Sequence, residues 1–291
     1  MKLGHQFRFI PDEDEKAETL IYAQHKTLGV LSRENISEDL KPVLDKCLRI
    51  TGLFEGCGYS AISGNFDGQG MSLGILQWCL GQHSLQPLLL DYIASHTHDI
   101  KALWDLDKAE EFIRVVYSDW DTQMAWAKRF VGNREKPYGD WVYRLKILAG
   151  SEDFISIQQK YASGIFDKAV TQARSFNLTQ ENSVAMMFDI CVQEGGVAEK
   201  HKAKIQEYLN NKHSEVSRDL TEEERLECIA KGRASFAIRR WQVDVLSRKL
   251  CIARLRSAPF TWNGEQHSGA VHGDRLDLAR SHSLSTTKVL L

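Results

Sequence analysis

The 291-residue chain carries 37 Lys and Arg against 39 Asp and Glu, a formal net charge of −2, which excludes the strong basic excess of a dedicated nucleic-acid binder. A hydrophobic fraction of 43%, a charged fraction of 26% and only five prolines describe a globular chain long enough to bury a sizeable core. No apolar run approaches the roughly 20 residues needed to span a bilayer, and the N-terminal MKLGHQFRFIPDEDEK has no apolar core of the roughly 7–15 residues that a secretory signal needs. The expectation is a chain without a membrane span that stays in the cytoplasm, leaves by a route that reads no such signal, or has had its signal removed.

Residues 1–35 are polar and weakly patterned, which predicts an N-terminal arm with one short helix around Ala17–His25. From Ser37, a candidate N-cap, Leu40, Val43, Leu44, Cys47, Leu48 and Phe54 recur at helical spacing, and Gly56 and Gly58 end the helix just after Glu55. Residues 59–78, YSAISGNFDGQGMSLGILQW, hold Gly64, Gly68, Gly70 and Gly74 with the turn formers Asn65 and Asp67, which predicts a small hairpin or irregular sheet. Helices follow at 85–95, 108–130, 152–162, 166–174, 181–193, 199–210 and 221–256, the last being the longest amphipathic stretch. From His267 to Leu291, Gly, His, Ser and Thr occur without periodicity, which predicts a tail straggling over the surface. The fold class expected is mainly α (α+β), with a small β element interrupting early.

The six cysteines, Cys47, Cys57, Cys79, Cys191, Cys228 and Cys251, lie in apolar contexts without a CxxC pair, so they read as buried free thiols rather than zinc ligands. A disulfide between Cys57 and Cys79 has nothing local to support it.

Glu55 and Asp67 stand on either side of the glycine-rich turn. Glycoside hydrolysis needs one carboxylic acid to protonate the leaving oxygen, and a second carboxylate that attacks the sugar or activates water. The two must differ in environment, so that one stays protonated while the other ionises. Glu55 follows Leu53 and Phe54 at a helix C-terminus, where apolar neighbours and the helix dipole favour the protonated form. Asp67 sits in a polar turn whose N–H groups and solvent favour the charged form, and Ser72 comes shortly afterwards as a hydroxyl to hold water. Gly68, Gly70 and Gly74 would let a sugar chain approach the backbone. Each acid taken alone also reads as an ordinary helix-end or turn residue.

The order helix-Glu, glycine-rich hairpin, then Ser72-Leu73-Gly74-Ile75-Leu76-Gln77 resembles the lysozyme superfamily. Glu55 followed by Asp67-Gly68-Gln69-Gly70-Met71-Ser72 resembles, more specifically, the chitosanases of glycoside hydrolase family 46, with Gly74 and Trp78-Cys79 where that family has a glycine and a Phe-Cys-like pair. The stretches Phe166-Asp167-Lys168-Ala169-Val170-Thr171-Gln172-Ala173 and Met187-Phe188-Asp189-Ile190-Cys191-Val192-Gln193, with Gly195, extend the likeness in the same order, and Val271-His272-Gly273-Asp274 echoes a terminal Y-G-D. The resemblance implies a lysozyme-like, two-lobed helical fold with the β element at the active-site cleft, within a catalytic domain over 36–275 and a tail over 276–291. It implies an inverting enzyme with Glu55 as proton donor, Asp67 as base and Ser72 as the water-positioning hydroxyl, the two carboxyl groups standing about 6.5–9.5 Å apart. Gln69, Gly70, Gln77, Trp78 and His83 are the candidate substrate-binding residues. No metal and no cofactor is expected.

Departures from the family bear on the polymer. Gln69 replaces a basic residue between the two glycines, the Glu55–Asp67 spacing is shorter than usual, and an acid expected after the Phe-Cys pair falls near His83 and Ser84. Chitosan is polycationic, yet residues 68–90 contain no acid. The expected substrate is therefore peptidoglycan, cleaved by a muramidase-like endolysin or injected antibacterial effector, with an immunity protein or a secretion-machine component as partner. Chitosan remains the alternative. Among the tryptophans, Trp78 is the foremost candidate to stack on sugar, while Trp104, Trp120, Trp126 and Trp141 read as helix core. Two other readings compete: a partner- or nucleic-acid-binding protein using Arg233, Arg239, Arg240, Arg248, Lys249, Arg254 and Arg256, and a catalytically dead scaffold. Against the first, those cations surround most of the long helix, as a solvated face with contacts to core acids would. Against the second, Glu55, Asp67 and Ser72 are all retained.

Overall fold

The structure is a computed structural model that describes residue 36 and residues 38–55, 58–64, 68–130, 138–269 and 283–291. The arm at 1–35, the N-cap Ser37, Cys57, Asp67 and the segment 271–274 lie outside the described residues. The fold is mainly α: the described residues form ten helices and small antiparallel sheets, as the periodicity predicts. None of the helices is long and apolar enough to cross a membrane. The chain divides into two compact units, one holding the described residues of Asn35–Thr51 and Ile165–Leu291, the other those of Gly52–Gly164.

The second of these begins with the last turn of α1 (Lys41–Glu55) and continues into a three-stranded antiparallel sheet, β1 (Ile62–Ser63), β2 (Ser72–Leu73) and β3 (Trp78–Cys79), in that order. Helices α2 (Gln86–Leu103), α3 (Leu106–Val116), α4 (Trp120–Lys128) and α5 (Asp140–Ala149) follow. The single helix expected over 108–130 is two, because Asp119 adopts an extended conformation and accepts a hydrogen bond from the Thr122 N–H, an N-cap that starts α4 anew. Trp104, Phe112, Trp126, Phe130 and Trp141 form one aromatic cluster with ring centroids 4.6–6.5 Å apart. Three of the tryptophans read as core are therefore core.

The other unit is built around α7 (Glu181–Glu194), whose residues from Glu181 to Cys191 are all buried. A helix buried on every side must satisfy its polar groups internally. Asn182 donates to the Ala253 carbonyl at 2.7 Å, Ser183 donates to Glu222 at 2.5 Å, and Asp189 takes Arg248 at 2.5 Å and Lys249 at 2.7 Å. Burial alone would raise the Asp189 pKa, but the two cations outweigh it and hold the carboxyl at about 2. Those cations come from α10 (Gln242–Arg254), while Arg233 of α9 (Glu222–Ala234) pairs with Glu194. The basic residues thus divide into core ion pairs and exposed positions such as Arg239 and Arg240.

Several expectations need correction here. The stretch 221–256 is not one helix: α9 ends at Ala234, and a short 3-10 turn, Arg239–Trp241, precedes α10. Conversely, the pieces at 152–162 and 166–174 form one continuous helix, α6 (Glu152–Ser175). The hairpin β4 (Phe260–Trp262) and β5 (Glu265–His267) turns at Asn263-Gly264, both with positive φ, a turn pair that signals a tight hairpin. The end of the chain does not straggle: Lys288 bridges to Gln180, Ser285 Oγ donates to Glu181 at 2.7 Å, and Leu284 is buried. The segment runs beside the N-terminus of α7 and buries Leu284 while leaving Leu290 exposed, which composition alone does not reveal. Helix α8 (Glu199–Val216) completes this unit against α9.

Candidate active site

Glu55 is the last residue of α1 and is only 5% exposed. One turn earlier, Gly52 lies against the loop between β2 and β3, where an added Cβ would stand 2.7 Å from Ile75 Cγ1. The missing side chain lets the end of the helix, and with it Glu55, press onto the sheet's connecting loop. Asp67, the proposed base, lies outside the described residues.

Strand register decides which side chains share a face, since residues directly opposite in an antiparallel pair point the same way. Ser72 pairs with Ser63 on one side and Cys79 on the other, while Leu73 pairs with Ile62 and Trp78. One face thus carries Ser63, Ser72 and Cys79, and the other carries Ile62, Leu73 and Trp78. Ser72 is 4% exposed on the more polar face. Trp78, expected beside the catalytic groups as a sugar platform, is 3% exposed on the opposite, apolar face. It serves as core beneath the sheet, because the period of two sends it away from Ser72.

Gln77 is likewise internal. Its amide donates to the carbonyls of Gly74 at 2.9 Å and Ala61 at 3.2 Å, and its oxygen accepts from Ser63 Oγ at 2.6 Å. These bonds hold the loop from β2 to β3 against β1, so the side chain acts on the site by shaping it. Gly74 has φ +89°, and a Cβ there would run into Gln158. Gln158, from α6, accepts from the Ile75 N–H at 3.0 Å and donates to the Ala149 carbonyl at 2.9 Å. Nothing in the Ile157-Gln158-Gln159-Lys160 stretch marks this residue, since a buried Gln and a solvated one look alike in sequence.

The remaining candidates lie along the strand-flanking segments. Gln69 accepts from the Gly81 N–H at 2.9 Å, and its side-chain oxygen approaches Cys79 Sγ at 3.8 Å on the Ser72 face. Gly70 lies against α4, where an added Cβ would meet Met124 Sδ at 2.7 Å. His83 is half-buried, and burial lowers the pKa of its imidazole. Its ring centroid lies 6.3 Å from that of Trp120, which is 42% exposed. Trp120, read as core from sequence, is therefore the solvent-facing tryptophan near this hairpin. Its placement at the start of α4, immediately after the cap Asp119, was the available signal, since the first residue of a short capped helix readily faces outward.

The arrangement supplies, within one unit, a sequestered carboxyl, a buried hydroxyl on a polar sheet face and an exposed aromatic next to His83. Among the described residues, His96, Asp99 and Asp153 bring three potential metal-ligand atoms within 4.8 Å of one another; these belong to α2 and α6 rather than the hairpin. Cys47, Cys79, Cys191, Cys228 and Cys251 are buried free thiols.

No protein-family profile and no curated protein sequence matches the chain. Among solved structures, it is similar to a chitosanase from Bacillus subtilis MY002, with 14% identity and a TM-score of 0.46 over 76% of this chain and 88% of that one. It is also similar to a family 46 chitosanase from Gynuella sunshinyii in complex with chitotetraose, with 10% identity and a TM-score of 0.49 over 80% and 98% of the two chains. A third is chitosanase OU01 with substrate, at 17% identity and a TM-score of 0.49 over 79% and 98%.

Proposed function

We propose that this chain is an inverting glycoside hydrolase of β-1,4-linked amino-sugar polymers. The observation that carries the reading is the placement of Glu55: a buried carboxyl at the C-terminus of α1, fixed by the contact of Gly52 with Ile75 next to the sheet that bears Ser72. A carboxyl held out of bulk water at a helix end, against the loop of the sheet, is placed to serve as a general acid. In this reaction Glu55 gives its proton to the glycosidic oxygen as that bond breaks. The Asp67 carboxylate takes a proton from water, whose oxygen attacks the opposite face of the anomeric carbon while Ser72 holds it in place, so a β-linkage yields an α-configured product. The role of Asp67 rests on the sequence pattern.

Peptidoglycan is the preferred polymer, because residues 68–90 hold no carboxylate to meet a chain of ammonium groups. Such a substrate would put its action at the cell wall, as an endolysin or an injected effector with an immunity partner. Chitosan is the second reading, favoured by a different observation: exposed Asp119 and Asp121 flank Trp120 and supply negative charge next to the hairpin. Mass spectrometry of products from purified peptidoglycan and from chitosan tests both. New reducing-end N-acetylmuramic acid marks a muramidase, glucosamine oligomers mark a chitosanase, and no new reducing end from either polymer overturns the reading.

A further inference from the structure

Trp120 and His83 come from separate segments, one opening α4 and the other just beyond β3, yet their rings lie 6.3 Å apart at a 38° tilt. Two independent contacts set them beside the candidate site. Met124, one helical turn after Trp120 on the same side of α4, meets the backbone of Gly70. The Gly81 N–H, two residues before His83, bonds the carbonyl of Gln69. Gln69 and Gly70 are thus contacted by both of the segments that carry the aromatic pair.

Trp78 is buried beneath the sheet, and Trp104, Trp126 and Trp141 are buried in the aromatic cluster. Trp120 alone of these five candidates offers an indole to solvent. A large exposed indole costs hydrophobic free energy unless a ligand covers it, and indole and imidazole faces are matched by the C–H-rich face of a pyranose ring. Burial favours the uncharged imidazole, which leaves this surface apolar rather than cationic.

We propose that Trp120, supported by His83, is a stacking platform for one hexosamine ring of the polymer, next to Gln69 and Gly70. The inference rests on the hydrolase reading for its ligand class, but it stands or falls by binding. The platform takes the ring face, which N-acetylglucosamine and glucosamine share; Asp119 and Asp121 beside it discriminate between the two.

The test uses the full chain with Glu55→Gln to prevent turnover, titrated with the tetrasaccharides of N-acetylglucosamine and of glucosamine. Affinity is followed by calorimetry, and the Trp120 indole by NMR. Trp120→Ala should weaken binding of the preferred tetrasaccharide about tenfold, Trp120→Phe should keep it within about threefold, and His83→Ala should fall between them. In the active enzyme Trp120→Ala should raise KM with kcat little changed. Preference for the glucosamine tetramer supports recognition through Asp119 and Asp121, and preference for the acetylated one supports the neutral platform acting alone. Equal affinity of Trp120→Ala and its parent for both sugars overturns the proposal, as does a parent that binds neither. If the chain binds sugar through Trp120 but produces no new reducing ends, the platform stands and the hydrolase reading falls. If Trp120→Ala cleaves polymer indistinguishably from wild type, the hydrolase reading stands and the platform falls.

Discussion

Gly52 and Ile75 approach so closely that the smallest side chain at position 52 would stand 2.7 Å from the isoleucine Cγ1. Gly52→Ala should therefore force the last turn of α1 away from the β2–β3 loop. We expect a loss of about 1–3 kcal/mol in stability and a larger proportional loss in kcat, because Glu55 moves with that turn. Denaturant titration and steady-state rates check the two effects, and Ile75→Ala in the Gly52→Ala background should restore part of the kcat by removing the Cγ1 that the new methyl meets.

Gln158 holds the same loop from the other side, through the Ile75 N–H and the Ala149 carbonyl. Gln158→Leu leaves both buried backbone groups without that partner, which costs about 1–3 kcal/mol. Hydrogen exchange should show the Ile75 amide losing protection first. An unchanged Ile75 amide would mean that another group holds the loop.

Asp189 faces Arg248 and Lys249 in a fully buried cluster, and the cations hold its pKa at about 2, below the ordinary carboxyl value of 3.8. A depressed folded-state pKa stabilises the fold fully above the unfolded value and loses that contribution as pH falls towards the folded value. Stability should thus drop between about pH 4 and pH 2, by roughly 2–3 kcal/mol from this group. Asp189→Asn should remove the acid sensitivity of this step while costing about 3–5 kcal/mol at neutral pH, since two buried cations lose their counter-charge. Urea unfolding as a function of pH measures both.

The C-terminal segment is part of the fold: Leu284 is 1% exposed and Ser285 bonds Glu181. Leu284→Ala should lower stability by about 2–5 kcal/mol, read as a fall in Tm. A truly straggling tail would show no change.

Helix type was legible wherever apolar residues recur over several turns, as in α1 and α7, and the glycine-rich segment was legible as sheet. The breaks were harder. Asp119 and the residues between α9 and α10 sit inside patterns that continue on paper, and only the cap at Asp119 and the 3-10 turn at Arg239–Trp241 interrupt them. The Asn263-Gly264 hairpin had a clear turn signal that composition obscured. At the site, Glu55 and Ser72 were legible as candidates, whereas the burial of the aromatics was opposite to expectation: Trp78 is buried and Trp120 is exposed. Trp78 was adjacent in sequence but lies across the sheet from Ser72, and Trp120 was distant in sequence but comes back beside His83. Strand register and helix docking decide such cases, and neither is written in local pattern.

If the buried Glu55 carboxyl delivers the proton, Glu55→Gln keeps its shape and removes its chemistry. Wild type and variant, shown equally folded by circular dichroism, are assayed for release of reducing ends from peptidoglycan and from chitosan. Glu55→Gln should lose at least about a hundredfold in kcat, the scale of a general acid, while tetrasaccharide affinity is retained. A glutamine variant that cleaves either polymer at the wild-type rate would mean that the proton comes from another group.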